Sequence, residues 1–214
     1  MKIKPVFVSS EWVFDGMKGN YVESDTPNPI LTYGQQKVEI EEYLQTRCDR
    51  FTIVRLGKVF GTQRGDGTLF TTWLDAIERH EIIRCAQDQV FSPIHVRDAV
   101  DSITRLVQMD GDGIYHVSNR NAYSRLELLN MLLSKAEAHL PLSVEVIPCS
   151  IRDFDLLEKR PLNVSMNPDK LMRSTGIQIN SVEHELEELV LNAFGLVPTS
   201  QRRFGRPKAR GQAF

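Results

Sequence analysis

Apolar and polar positions along the 214-residue chain alternate between a strand-like and a helix-like period. Pro5-Val6-Phe7-Val8 is a short apolar run ending in Ser9-Ser10, the form of a strand buried in a parallel sheet. Turn formers follow between positions 15 and 29, with Gly16, Gly19, Asn20, Pro27 and Pro29. A helix is predicted over 32–45, continued by Val38, Ile40, Glu41 and Leu44, and a β-rich run, Phe51-Thr52-Ile53-Val54-Arg55-Leu56, comes next. Positions 61–67 read as a glycine-rich loop. Positions 69–81 read as a helix with Phe70, Trp73, Leu74 and Ile77 on one side. Ala99, Val100, Ile103, Leu106 and Val107 trace one face of an amphipathic helix, and 113–117 is a further strand.

Ser124-Arg125-Leu126-Glu127 has the spacing of a capping box, with Leu126, Leu129, Leu133 and Ala136 as the apolar face of its helix. Val144-Glu145-Val146-Ile147 alternates as a strand that stops at Pro148. A short helix is predicted over 168–173, closed by Gly176, and Ser181 opens a last helix ended by Gly195. No internal repeat is present. Strands alternating with helices predict an α/β fold.

Composition adds bounds. With 41% apolar and 25% charged residues, the chain can bury the core of one domain, with room for a small lobe. The net charge of −2 is uneven: positions 201–214 carry five basic side chains and no acid, leaving 21 basic against 28 acidic residues elsewhere. A basic tail at 197–214 is read as solvated and disordered rather than as a nucleic-acid contact. Cys48, Cys85 and Cys149 form no CxxC pair, which suits reduced thiols in a cytoplasmic protein, and the five histidines lack metal-ligand spacing. Charges at Lys2, Lys4, Glu11, Asp15 and Lys18 break any signal-peptide core, and no apolar stretch approaches the ~20 residues of a membrane helix.

The candidate chemistry lies in Tyr33-Gly34-Gln35-Gln36-Lys37. On a helix, Tyr33 and Lys37 share a face. A free phenol ionises near pH ~10, and a neighbouring ammonium favours the phenolate, bringing it toward useful acid–base chemistry. The spacing alone also fits a plain surface pair, so its context decides. Val6-Phe7-Val8-Ser9-Ser10-Glu11-Trp12-Val13-Phe14-Asp15-Gly16 precedes it, followed by Glu23-Ser24-Asp25-Thr26-Pro27-Asn28-Pro29. After it come Arg55-Leu56-Gly57-Lys58-Val59-Phe60-Gly61, Asp88-Gln89-Val90-Phe91-Ser92-Pro93, Gly113-Ile114-Tyr115-His116 and Lys159-Arg160-Pro161-Leu162-Asn163.

In this order, these motifs resemble the extended short-chain dehydrogenase/reductases, and within them the dTDP-4-dehydrorhamnose reductase family. The resemblance spans about residues 5–196. It implies a Rossmann-like doubly wound sheet with a small C-terminal α/β lobe, and NADP- or NAD-dependent reduction of a nucleotide-linked 4-keto-6-deoxysugar. Carried over, Tyr33 protonates the developing alkoxide. Lys37 supports that ionisation and holds the nicotinamide ribose, so both residues also belong to the cofactor site. Ser10 hydrogen-bonds the ketone oxygen. Val13, Phe14, Gln89, Arg160 and Asn163, with Ser10, fall at substrate-binding positions, an arginine suiting a diphosphate.

Departures from the pattern are also legible. The family's Gly-x-x-Gly-x-x-Gly turn, which receives the dinucleotide pyrophosphate, has no counterpart before Ser10. The glycines at 61–67 follow the catalytic helix instead. At ~30 residues per βαβ unit, on the order of 100 residues of cofactor-binding front are expected to be missing. The strand at 5–9 is then expected to lack its inner neighbour, so that the chain self-associates or awaits a separate N-terminal half. Trp12, Glu11 and Gln36 replace a usual Tyr, Asp and Ser/Thr. Lys58 replaces an aromatic common near the sugar, which bears on substrate identity. Two other readings stand beside the enzyme: a non-catalytic subunit resembling the regulatory subunit of methionine adenosyltransferase, and an inactive gene fragment.

Overall fold

The computed structural model describes residues 3–63, 65–139 and 141–195; the predicted tail at 197–214 lies outside them. The predicted strand after Pro5 forms as β1 (Val6–Ser10), followed by a 3-10 turn over Glu11–Val13 and the long helix α1 (Thr32–Arg47). Next come β2 (Thr52–Leu56), the two-residue β3 (Val59–Phe60), α2 (Leu69–Glu78) and β4 (Ile83–Ala86). The short β5 (Val90–Phe91) and β6 (Ile94–His95) lead into α3 (Val96–Gln108) and β7 (Gly113–Val117). The last part holds β8 (Tyr123–Ser124), α4 (Arg125–Glu137), β9 (Val146–Cys149), α5 (Asp169–Thr175) and α6 (Val182–Ala193).

β1, β2 and β7 form a parallel sheet in that spatial order, with Val8 opposite Val54 and Val54 opposite Tyr115. Side chains alternate across a sheet. Ser9, Arg55 and His116 therefore share the face covered by α1, while Val54 and Tyr115 meet Ala99 and Leu106 of α3 in a hydrophobic cluster on the other. The larger core lies C-terminal to this sheet. There Phe70, Trp73 and Leu74 of α2 pack with Leu128, Leu129 and Leu132 of α4 and Leu186 and Leu189 of α6.

Local chemistry explains the helix ends. Ser124 and Glu127 form the predicted capping box, with both reciprocal bonds made. Ser181 caps α6, and Gly176 closes α5 in a left-handed conformation (φ +72°). α2 ends at Glu78 rather than Glu81, because His80 adopts a left-handed φ of +54°. On α4 the buried face is Leu128, Leu129, Leu132 and Ala136, rotated from the predicted one, and Leu126 and Leu133 lie at its margin. β9 runs through Pro148 instead of stopping before it. It pairs only with β4 among the described residues, and a proline's missing N–H is tolerated on an edge strand.

Candidate functional site

A cleft of about 530 Å³ opens at the carboxyl ends of β1 and β2, where ligands bind in parallel α/β sheets. Ser10, Glu11, Trp12, Tyr33, Lys37 and Lys58 are among the residues lining it. Three residues singled out in the sequence, Ser10, Tyr33 and Lys37, therefore face one space. Ser10 is the last residue of β1. Its Oγ accepts from the Trp12 amide at 3.3 Å and caps the following turn. A hydroxyl has one proton to donate, so this contact leaves the Ser10 proton available to an oxygen in the cleft.

Tyr33 stands in the first turn of α1 with 46% of its surface exposed, its ring edge-on to Trp12 at 5.8 Å. The glycine after it has a steric reason: a Cβ on Gly34 would collide with the Trp12 carbonyl oxygen. One turn further on, the Lys37 Nζ lies 5.3 Å from the centre of the Tyr33 ring and donates to the Val8 carbonyl at 2.9 Å.

The next turn of α1 anchors this arrangement. Glu41 accepts from Arg55 Nη2 at 2.7 Å and from Ser9 Oγ at 2.5 Å, and Glu41 and Arg55 are each 1% exposed. Arg55 also lies 5.1 Å from the Phe14 ring. Beside it, burial and the Arg55 charge hold the His116 imidazole down at about 3, and its Nδ1 sits 3.0 Å from the Tyr21 carbonyl oxygen.

Glu11 and Lys58 were met in the sequence only as departures from a pattern. Glu11 is 4% exposed, and its Oε2 accepts from the Lys58 amide at 3.1 Å. Burial pushes its carboxyl up to about 8, against the opposing pull of Lys58 and Arg125. Lys58 and Trp12 also line a second cavity of about 320 Å³, which carries Arg84, Gln89, Arg125 and Arg160. The Arg160 guanidinium lies 4.5 Å from the Trp12 ring, and Arg125 Nε donates to Gln89 Oε1 at 2.6 Å. Arg125 announced itself in the sequence only as the second residue of a capping box.

The other substrate-binding positions are placed differently. Gln89 and Arg160 line the second cavity. Val13 and Phe14 have no exposed surface: they pack with Tyr21 and Met166, and Phe14 stacks on Tyr21 at 4.0 Å. Their side chains form a floor beneath the site and offer a ligand no contact surface. Asn163 turns its carboxamide oxygen to Ser165, accepting from Ser165 Oγ at 2.7 Å, and its backbone N–H donates to the Gly16 carbonyl at 3.0 Å. It braces a loop. The glycine-rich stretch does not face the cleft: Gly61, Thr62, Gln63 and Asp66 line a third cavity with His95 and Arg97.

Parallel strands with a Ser-Tyr-Lys cleft at their carboxyl ends define a Rossmann-like α/β domain of the short-chain reductase type. The chain belongs to the RmlD substrate binding domain family, whose model matches residues 1–194. It is 27% identical over 193 residues to dTDP-4-dehydrorhamnose reductase of Aggregatibacter actinomycetemcomitans, covering 85% of this chain and 64% of that protein. The crystal structure of dTDP-4-dehydrorhamnose reductase from Bacillus anthracis, in complex with NADP, superposes with a TM-score of 0.77 at 28% identity. That match covers 88% of this chain and 66% of the other. The beta subunit of methionine adenosyltransferase 2 of Danio rerio is 26% identical over 176 residues, covering 78% of this chain and 53% of that protein. The chain thus spans about 64% of the length of the reductase relative.

Proposed function

We propose that the chain carries the acid–base and substrate-binding side of a reductase acting on a nucleotide-linked 4-keto-6-deoxysugar. The observation that carries this reading is the single cleft lined by Ser10, Tyr33 and Lys37. The Ser10 hydroxyl donates to the ketone oxygen and stabilises charge as it develops there. The exposed Tyr33 phenol delivers the proton that completes the alcohol. Lys37 places its ammonium 5.3 Å from the centre of the Tyr33 ring, in position to hold the ribose beside it. Arg160 and Gln89, in the adjoining cavity, hold the nucleotide side of the ligand. A nicotinamide dinucleotide, NADP or NAD, supplies the hydride when bound. Tyr33 and Lys37 fit its ribose end, while Gly61, Thr62, Gln63 and Asp66 of the glycine-rich stretch line a different cavity and do not fit its pyrophosphate.

The test is NADPH oxidation with a dTDP-linked 4-keto-6-deoxysugar, using the 214-residue chain alone and supplemented with a cofactor-binding segment of a full-length reductase. Turnover is expected with the supplement and abolished by Tyr33→Phe, with sugar-nucleotide binding retained. Turnover that survives Tyr33→Phe would refute the assignment. A second reading, a non-catalytic subunit, is favoured by the similarity to the methionine adenosyltransferase 2 beta subunit. It predicts co-purification with a methionine adenosyltransferase catalytic subunit, undiminished by Tyr33→Phe.

A further inference from the structure

Glu11 and Glu41 are both buried, but their carboxyl groups have different surroundings. Glu41 has donors on both oxygens: Ser9 Oγ and Arg55 Nε on Oε1, Arg55 Nε and Nη2 on Oε2. Glu11 has a single donor, the Lys58 amide on Oε2, and forms no ion pair among the described residues. Its Oε1 is without a hydrogen-bond partner among them. The unpartnered side-chain atoms sealed from solvent are His95 Nε2, Ser102 Oγ and Glu185 Oε2, so Oε1 of Glu11 opens instead to the cleft that the residue lines. Burying a carboxyl with so little support costs free energy, and a group held this way in a cleft is a candidate for chemistry.

Its place suits a particular step. Glu11 follows Ser10 directly, in the turn that begins where β1 ends, and Ser10, Glu11 and Tyr33 line one space. A ketone oxygen held by the Ser10 hydroxyl brings the carbons flanking the carbonyl into that space. Hydrogens on those carbons are acidic, because the electron pair left behind spreads onto the ketone oxygen as an enolate. The donor that steadies charge on this oxygen during reduction steadies the enolate equally. A general base works best with its pKa near the working pH. Burial raises Glu11 from 4.5 to about 8, against the pull of Lys58 and Arg125; an ordinary carboxylate would be a far weaker base.

We propose that the cleft has a second activity on the same ketone, one that needs no nicotinamide: the Glu11 carboxylate removes a proton from a carbon next to the carbonyl and returns one to it. The C–H bond breaks, its electron pair moves toward the ketone oxygen, and Glu11 Oε1 takes the proton. That proton exchanges with water, and the reverse step re-forms the C–H bond. One base on one face retains the configuration, so the net reaction is exchange of that hydrogen with solvent. The identity of the ketone rests on the keto-sugar reading above; the bare carboxyl oxygen in the cleft does not.

The experiment is incubation of the 214-residue chain with a dTDP-linked 4-keto-6-deoxysugar in deuterated buffer without NADPH or NADH, read by proton NMR and mass spectrometry, with calorimetric titration of the same sugar nucleotide alongside. Deuterium is expected at a carbon flanking the carbonyl, with configuration retained and faster than in protein-free buffer. The rate should rise with pH and level off above about 8 as Glu11 ionises. The other titratable groups around it are Lys58, Arg125, Tyr33 and Lys37. Glu11→Gln, which keeps an acceptor for the Lys58 amide, should slow exchange about a hundredfold or more while sugar-nucleotide binding is retained. A sugar nucleotide that binds but gains no deuterium overturns the exchange and leaves the keto-sugar reading standing, whereas a chain that does not bind it overturns both. Exchange undiminished in a folded Glu11→Gln variant, or inversion at the exchanging carbon, removes Glu11 as the single base. A wild-type rate that does not change between pH 6 and 9 does so without any variant.

Discussion

Glu41 on α1 and Arg55 on β2 form an ion pair sealed from solvent, with Arg55 Nη2 2.7 Å from Glu41 Oε2 and both side chains no more than 2% exposed. Arg55 Nε adds two contacts of 3.1 Å, and the Ser9 hydroxyl adds a third donor to the same carboxylate. Glu41 lies two turns beyond Tyr33 and one beyond Lys37, so this contact fixes the helix against β1, the strand ending in Ser10.

Breaking such a pair from one side strands a buried charge, at a cost of about 3–5 kcal/mol, whereas replacing both partners with apolar groups costs far less. Glu41→Leu and Arg55→Met should each lower the urea midpoint sharply. The double variant should be more stable than the sum of the two losses implies. A double-mutant cycle measures this, and additive losses would show that the pair does not act as a unit.

The pH dependence of stability should carry two opposed slopes. The Glu11 carboxyl is raised from 4.5 to about 8 in the folded chain. Below pH 4.5 it is protonated in both states and has no effect. Between 4.5 and about 8 the unfolded chain releases the proton and the folded chain keeps it, so stability falls as pH rises. His116 is lowered from 6.5 to about 3, so its contribution is lost as pH falls from 6.5 toward 3, where only the unfolded chain takes up the proton. Urea midpoints across pH should show Glu11→Gln flattening the first slope and His116→Gln the second. Unchanged slopes in either variant would contradict the burial of that group.

The long elements were legible in the sequence because periodicity, caps and turn formers agreed over many residues. α4 with its capping box and α6 after Ser181 are examples. The two-residue strands β3, β5, β6 and β8 were not, since a pair of residues has no period. Of the residues lining the cleft and the neighbouring cavity, Tyr33 and Lys37 were picked out by spacing and context, and Gln89 and Arg160 by motif order. Arg125 and Arg84 were not, because only the fold brings β4, α4 and the segment 151–160 around one cavity. Phe14 shows the converse. Its motif suggested contact with substrate, but stacking on Tyr21 seals it in the core.

Affinity for the dinucleotide should be low in this chain alone. Tyr33 and Lys37 offer contacts to the ribose end, but Gly61, Thr62 and Gln63 of the glycine-rich stretch lie with His95 and Arg97 around another cavity, away from the place of the pyrophosphate. Fluorescence titration with NADPH and NADH should give at most weak binding. Micromolar affinity would mean that other residues of this chain supply the phosphate site.

The last prediction concerns the free side of β1. The Pro5 carbonyl accepts from the Thr52 amide at 2.9 Å, so the carbonyls of Pro5, Phe7 and Ser9 point toward β2. By the two-residue alternation of a strand, the Val8 carbonyl points the other way, and there the Lys37 ammonium takes it. No strand pairs with that side among the described residues, and Val6 and Val8 are each 40% exposed. An unpaired edge of this kind is a template for another strand, which a lysine blunts only in part. We predict that the chain associates through β1, and that an added strand competes with Lys37 for the Val8 carbonyl, freeing the ammonium beside Tyr33. Light scattering over a concentration series should show growing mass, and Val6→Lys with Val8→Lys should suppress it by placing charge on the edge strand. A monomer at all concentrations, melting cooperatively at a concentration-independent temperature, would refute this and leave the Lys37 contact as sufficient protection of the edge.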